Sequence, residues 1–138
     1  MERLARGGLA LAACWIATGA FAAPQSPYDI QRALELESRA AAAGFSGFSP
    51  QAGEQFFRST HGNDWSCSSC HTPDPRNAGK HATTGKEIAP LAPAANAKRF
   101  TSIDKVEKWF KRNCVDVLGR ACSPEEKGNV LAYLLSLK

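Results

Sequence analysis

Met1 is the only methionine in the 138 residues, no block of like charges runs along the chain, and no internal repeat or low-complexity tract is present. Seventeen Lys and Arg against 13 Asp and Glu give a formal charge of +4. That excess is too small and too dispersed for a nucleic-acid-binding face. A composition of 43% hydrophobic and 22% charged residues excludes a disordered chain, a coiled coil and collagen, and the length suits one domain. Period-two alternation is weak throughout, which argues for an all-α class.

The one long apolar stretch lies at the start. Arg3 and Arg6 precede a nearly unbroken apolar run over 7–17, and Ala20-Phe21-Ala22 supplies a small-x-small pattern. Residues 1–22 therefore read as a secretory signal cut after Ala22. The run carries Gly and Thr and falls short of the ~18–20 apolar residues of a membrane span. Leu11-Ala12-Ala13-Cys14 also fits a lipobox, but its apolar lead is very short. The expectation is a single domain over 23–138, periplasmic in a bacterium, with no membrane insertion after cleavage. Processing removes Met1 and Cys14 and leaves Cys67, Cys70, Cys114 and Cys122 in a compartment where disulfides persist.

Cys67-Ser68-Ser69-Cys70-His71 is the C-x-x-C-H signature of c-type haem attachment. Two thiols add across the vinyl groups of one porphyrin edge, so they must lie about one turn apart. The next residue then presents its imidazole to the iron. A thioredoxin-like pair would want a βαβ context, and no β-rich run precedes the motif. A zinc site would want a second pair at finger spacing, and Cys114 and Cys122 are too far apart and too distant.

Helix formers fill Tyr28–Ala43, with Gly44 as the stop. Ser49-Pro50 opens a short helix to Arg58. Gly53 and Phe57, four apart, let another helix cross closely, with Tyr133 and Leu134 as partners. Residues 67–97 are rich in Pro and Gly and read as loop, wrapped around a haem that supplies the missing core. Thr101-x-x-Asp104 opens a helix to about Asn113 with Ile103, Val106 and Trp109/Phe110 on its apolar face. Ser123-Pro124-Glu125-Glu126 is a capping box opening a last apolar helix.

With His71 on one axial side, the sixth position of the iron is open. The processed chain has no Met to fill it. His61, six residues before Cys67, sits on the attachment side and reads as a surface histidine; His81 follows the motif in a Gly- and Lys-rich loop. Asn113 falls on the apolar face of its helix, where its partner is either a backbone carbonyl or the iron.

The chain resembles the small bacterial class I cytochromes c of the sphaeroides haem protein and methylotroph cytochrome c-double-prime family. The resemblance is carried by the run Thr84–Pro93, by Lys98-Arg99-Phe100-Thr101 and Lys105-Val106-Glu107-Lys108, and by Asn113-Cys114 with Gly119-x-x-Cys122-Ser123-Pro124. It implies the class I cytochrome c fold of four to five helices around one covalent haem. It also implies Asn113 as distal ligand opposite His71, since the family places that ligand just before the first cysteine of the frame. A Cys114–Cys122 disulfide is implied too, and export agrees with it.

A neutral amide suits ferric iron better than ferrous. Reduction is thus expected to release Asn113 and open the iron to O2, NO or CO, beside Trp109 or Phe110. By analogy the carbonyl of Pro90 or Pro93 accepts from His71, with Leu91 in the same haem-binding loop. Lys80, Lys86, Lys98 and Arg99 flank that loop and steer an acidic partner. The expected function is electron transfer with other redox proteins, such as a multihaem or membrane cytochrome, and binding of small diatomics. The alternative is an enzyme scavenging NO or peroxide. No distal His/Arg pair is visible near Asn113, because Lys111 and Arg112 should point elsewhere, and this favours the carrier.

Overall fold

Three helices begin at a Ser-Pro pair. They are α1 (Pro27–Ala41), α2 (Pro50–Arg58) and α5 (Pro124–Ser136), capped by Ser26, Ser49 and Ser123. Each serine hydroxyl accepts a backbone N–H of the first turn, and proline takes the position whose N–H would go unused. Asp29 and Glu126 close reciprocal capping boxes. This computed structural model describes residues 23–138; the expected leader, with its lipobox Cys14, lies outside the described residues.

α3 (Cys67–His71) is a single turn, and α4 (Ile103–Leu118) is the longest helix among the described residues. α4 departs from expectation at both ends. Thr101 does not cap it: its hydroxyl donates to the Lys98 carbonyl at 3.2 Å, and Ser102 makes no cap bond. Gln25, distant in sequence, accepts the Ile103 N–H at 2.7 Å instead. The helix runs past Asn113 because buried Cys114 and Val117 continue its apolar face. It stops at Gly119, whose φ of 71° only glycine adopts at no steric cost. Residues 67–97 are also less irregular than expected. Besides α3 they hold a minimal antiparallel hairpin, β1 (Gly79–Lys80) with β2 (Glu87–Ile88), pairing Gly79 with Ile88.

α5 is the axis of the core. Leu131 joins Ile30, Leu34 and Val106 on one flank. Val130, Tyr133 and Leu134 join Phe57 on the other. α2 crosses α5 at Gly53, where a Cβ would overlap the Asn129 backbone carbonyl, so only glycine permits the approach. The Phe57 and Tyr133 rings lie 5.6 Å apart, and Leu134 shares their cluster, as the Gly53/Phe57 spacing led us to expect.

Lys127, 7% exposed, holds α4 to α5 through two bonds to Glu107 at 2.7 and 2.8 Å. Glu107→Ala strands this ammonium with only Glu37, at 3.9 Å. We expect a loss of about 1–3 kcal/mol, read as a lower urea midpoint. Lys127→Met, which fills the same space without charge, should cost less. Among the described residues no helix is long and apolar enough to cross a membrane.

Candidate haem-attachment site

The turn that carries the two thiols is set by the serines around it. Ser66 is the N-cap of α3: its hydroxyl accepts the Ser69 N–H at 3.2 Å, and the Ser69 hydroxyl accepts the Ser66 N–H at 3.0 Å. Helix therefore begins at Cys67, and Cys67, Cys70 and His71 share one turn. The chain leaves the turn through Thr72, held at φ 64° while its hydroxyl donates to the Asp74 carbonyl. The S-x-x-S spacing was available in the sequence, yet the residues inside C-x-x-C-H were read only as spacers.

Both cysteines are free thiols. Cys67 packs against the Phe57 cluster, and burial pushes its thiol up to about 11, so it stays protonated at neutral pH. Cys70 accepts the Ala82 N–H on sulfur at 3.3 Å. The hairpin lies directly on this turn: a Cβ at Gly79 would overlap the Cys70 carbonyl. The role of Gly79 has no sequence signal beyond its being glycine.

His71 is held 6.4 Å from the Phe57 ring. Burial first, and the Arg99 cation second, pull its pKa down to about 4. The imidazole is therefore neutral over the physiological range, as a metal ligand must be. The Pro90 carbonyl, one of its two expected acceptors, is already used: Arg99 Nε donates to it at 2.9 Å and Asn96 Nδ2 at 3.2 Å. Two donors fill a carbonyl's two lone pairs. Pro93 is what remains of that expectation.

Arg99 is the larger correction. Rather than standing free with Lys80, Lys86 and Lys98, it is half-buried and turned onto the Ala89 and Pro90 carbonyls. It forms no ion pair among the described residues, and a partly desolvated cation without an anion is costly.

Leu91, Phe100 and Phe110 are partly exposed apolar groups on the same cluster as Cys67. Leu91 is fixed by its N–H to the Pro75 carbonyl at 2.9 Å. Trp109 is 52% exposed, with the Arg112 guanidinium 5.2 Å above its ring. Asn113 is exposed, not buried as its place on the helix suggested, and its amide makes no hydrogen bond among the described residues. It shares a helix flank with Trp109, four residues earlier. Cys114 and Cys122 face each other in bonding position, with Cα atoms 5.6 Å apart. Asn63, which no sequence signal marked, ties the segment before Cys67 to the end of α4 through the Val117 carbonyl at 2.8 Å.

The other histidines are engaged locally. His61 Nε2 lies 2.9 Å from the Phe56 carbonyl and its ring rests on Phe56. His81 is exposed, and its Nδ1 accepts the Thr83 and Thr84 N–H groups at 3.2 and 3.3 Å.

These residues fit a covalently attached haem. Two free thiols and a neutral imidazole share one turn, apolar groups beside them stand partly uncovered, and an unpaired guanidinium awaits a carboxylate of the kind a porphyrin carries.

The family described as "Domain of unknown function (DUF1924)" matches residues 43–134. Cytochrome c'' of Methylophilus methylotrophus is 56% identical over 80 residues, covering 58% of this chain and 56% of its own. Cytochrome c-type protein SHP of Cereibacter sphaeroides is 55% identical over 69 residues, covering 50% of this chain and 53% of its own. The aligned stretch thus spans little more than half of each curated relative. Two solved structures match more fully. Oxidized cytochrome c'' from Methylophilus methylotrophus superposes with a TM-score of 0.70 at 43% identity, over 80% of this chain and 93% of that one. Oxidized SHP, described as an oxygen-binding cytochrome c, gives 0.71 at 39% identity, over 81% and 97%.

Proposed function

Since this chain belongs to the DUF1924 family and to the c-type cytochromes of the cytochrome c'' and SHP kind, we propose that it is a periplasmic mono-haem electron carrier whose weak distal ligand, Asn113, lets go on reduction. The observation that carries the haem assignment is the single turn presenting Cys67, Cys70 and His71. Bound, the haem supplies an iron that cycles between ferric and ferrous states and accepts a small axial ligand.

The chain's own residues do the rest. Cys67 and Cys70 would hold the porphyrin edge as thioethers. His71, neutral and 6.4 Å from the Phe57 ring, would be the firm nitrogen donor to the iron. Leu91 and Phe110, on the Cys67 cluster, would shield the macrocycle from water, with Trp109 on the Asn113 flank of α4, and Arg99 would offer its unused N–H groups to a propionate.

Asn113 is the loose donor. Its carboxamide has no competing partner among the described residues, so it is free to turn toward the metal. A Cys114–Cys122 bond would fix the adjacent backbone, so that Asn113 would move by side-chain rotation alone. The Asn113 amide N–H groups would then be available to donate to O2 or NO. The solved SHP is described as oxygen-binding, which supports carrying that ligand class to this chain. Other redox proteins, a multihaem or membrane cytochrome among them, are the expected partners.

Absorption spectra of ferric and ferrous protein, wild type and Asn113→Ala, test this reading. The ferric wild type should be six-coordinate and low-spin, the ferrous form five-coordinate. Asn113→Ala should make the ferric form high-spin as well. A ferric spectrum unchanged by the mutation, or a ferrous wild type that stays six-coordinate without added ligand, removes Asn113 from the metal.

A further inference from the structure

Asn63 stands four residues before Cys67, at the end of a tight turn. Its N–H returns to the Thr60 carbonyl at 2.9 Å, and the two residues between them, His61 and Gly62, both have positive φ, at 55° and 84°. Glycine adopts that conformation freely and histidine does not. His61 is held there by three contacts. Its N–H donates to the Ser59 hydroxyl at 3.1 Å, its Nε2 lies 2.9 Å from the Phe56 carbonyl, and its ring centre is 4.4 Å from that of Phe56. A left-handed residue that its surroundings hold so firmly marks a segment whose course matters.

The turn brings the Asn63 carboxamide to α4, where Nδ2 donates to the Val117 carbonyl at 2.8 Å. Val117 lies in the last turn of that helix, whose carbonyls have no helical N–H ahead of them to accept. The Gly119 N–H satisfies Val115, and Asn63 satisfies Val117. Val117 is also one turn beyond Asn113, and in an α-helix its N–H bonds back to the Asn113 carbonyl.

Among the described residues this is the one hydrogen bond between segment 59–72 and α4. It joins the stretch that carries Cys67, Cys70 and His71 to the turn next to Asn113. The Cys114 and Cys122 pair ties the same part of α4 only to the start of α5, so it does not set the distance to the attachment turn.

We propose that Asn63 is a positioning residue for the distal ligand. By fixing the Val117 carbonyl to the attachment segment it sets the reach of Asn113 toward the iron, and so how readily that donor yields to an incoming ligand. This rests on the reading of Asn113 given above. A carboxamide is a weak donor to iron, so its bond tolerates little misplacement of the helix that carries it.

The test is titration of the ferric holoprotein with imidazole at mildly alkaline pH, where the probe is neutral. Imidazole must displace Asn113, so its apparent affinity reads how strongly that ligand competes. Asn63→Ala and Asn63→Asp both remove the donor, and the second keeps the shape. Each should bind imidazole about threefold or more tightly than wild type, the shift that loss of one hydrogen bond brings. Asn113→Ala should bind it more tightly still, and adding Asn63→Ala to that variant should change the affinity no further. A lower urea midpoint in Asn63→Ala with unchanged imidazole affinity would make the bond merely structural. Undiminished tightening on the Asn113→Ala background would mean that Asn63 acts by another route. Either result overturns the positioning role. Wild-type imidazole affinity in Asn113→Ala overturns instead the reading of Asn113 as the ligand.

Discussion

Replacing Cys67 and Cys70 together by alanine is expected to abolish covalent haem. The thioethers are the only bonds that survive denaturation; His71 alone is a reversible ligand. Haem-stained denaturing gels should lose the band completely, and far less holoprotein should accumulate, because Leu91, Phe100 and Phe110 would be left facing water. The single variants should differ. Cys67 packs into the Phe57 cluster, whereas Cys70 is tied to the hairpin by the Ala82 N–H. Cys67→Ala therefore removes core packing as well as a thioether, and its lower thermal midpoint should show this. A denatured double variant that still stains for haem would place the attachment elsewhere.

Phe57→Ala has the largest expected effect on stability. The ring is 0% exposed and lies where α2 meets α5. Truncating a buried phenylalanine costs about 3–5 kcal/mol, against a typical total of about 5–15. The close approach at Gly53 fixes the backbones, so the cavity cannot collapse by moving the helices together. A lower urea midpoint with an unchanged slope is the expected readout. The same ring limits the His71 imidazole from 6.4 Å, so the variant should also broaden the proximal ligand's spectroscopic signature. A loss below about 1 kcal/mol would mean that this contact does not hold the bundle together.

Much of the site was legible because its chemistry is local. Attachment needs two thiols and an imidazole at fixed spacing, and that spacing is a property of five consecutive residues. The Ser-Pro starts at Ser49 and Ser123 were legible for the same reason, since a cap and its recipient N–H lie within one turn; the same pair at Ser26-Pro27 went unread. The close crossing at Gly53 could be read because a glycine four residues from a large aromatic marks a helix approached by another.

What failed were inferences about partners distant in sequence. Thr101 was a reasonable cap for α4, yet Gln25 supplies the bond to Ile103 from the far end of the chain. Pro90 was a reasonable acceptor for His71, yet Arg99 and Asn96 fold back onto its carbonyl. Arg99 looked like a free surface charge, and only the fold shows it half-buried and committed. The exposure of Asn113 was hidden for a related reason: helical periodicity assigns a direction, and the neighbouring elements decide whether that direction is covered.

The amino-acid order alone thus determined the cofactor class, the starts of α2 and α5 and the close crossing of those two helices, each encoded within one or two turns. The tertiary structure decided which carbonyls, cations and aromatic faces remain available around the attachment turn. Contacts in this region join segments up to 54 residues apart, and no local pattern records which distant donor reaches which carbonyl.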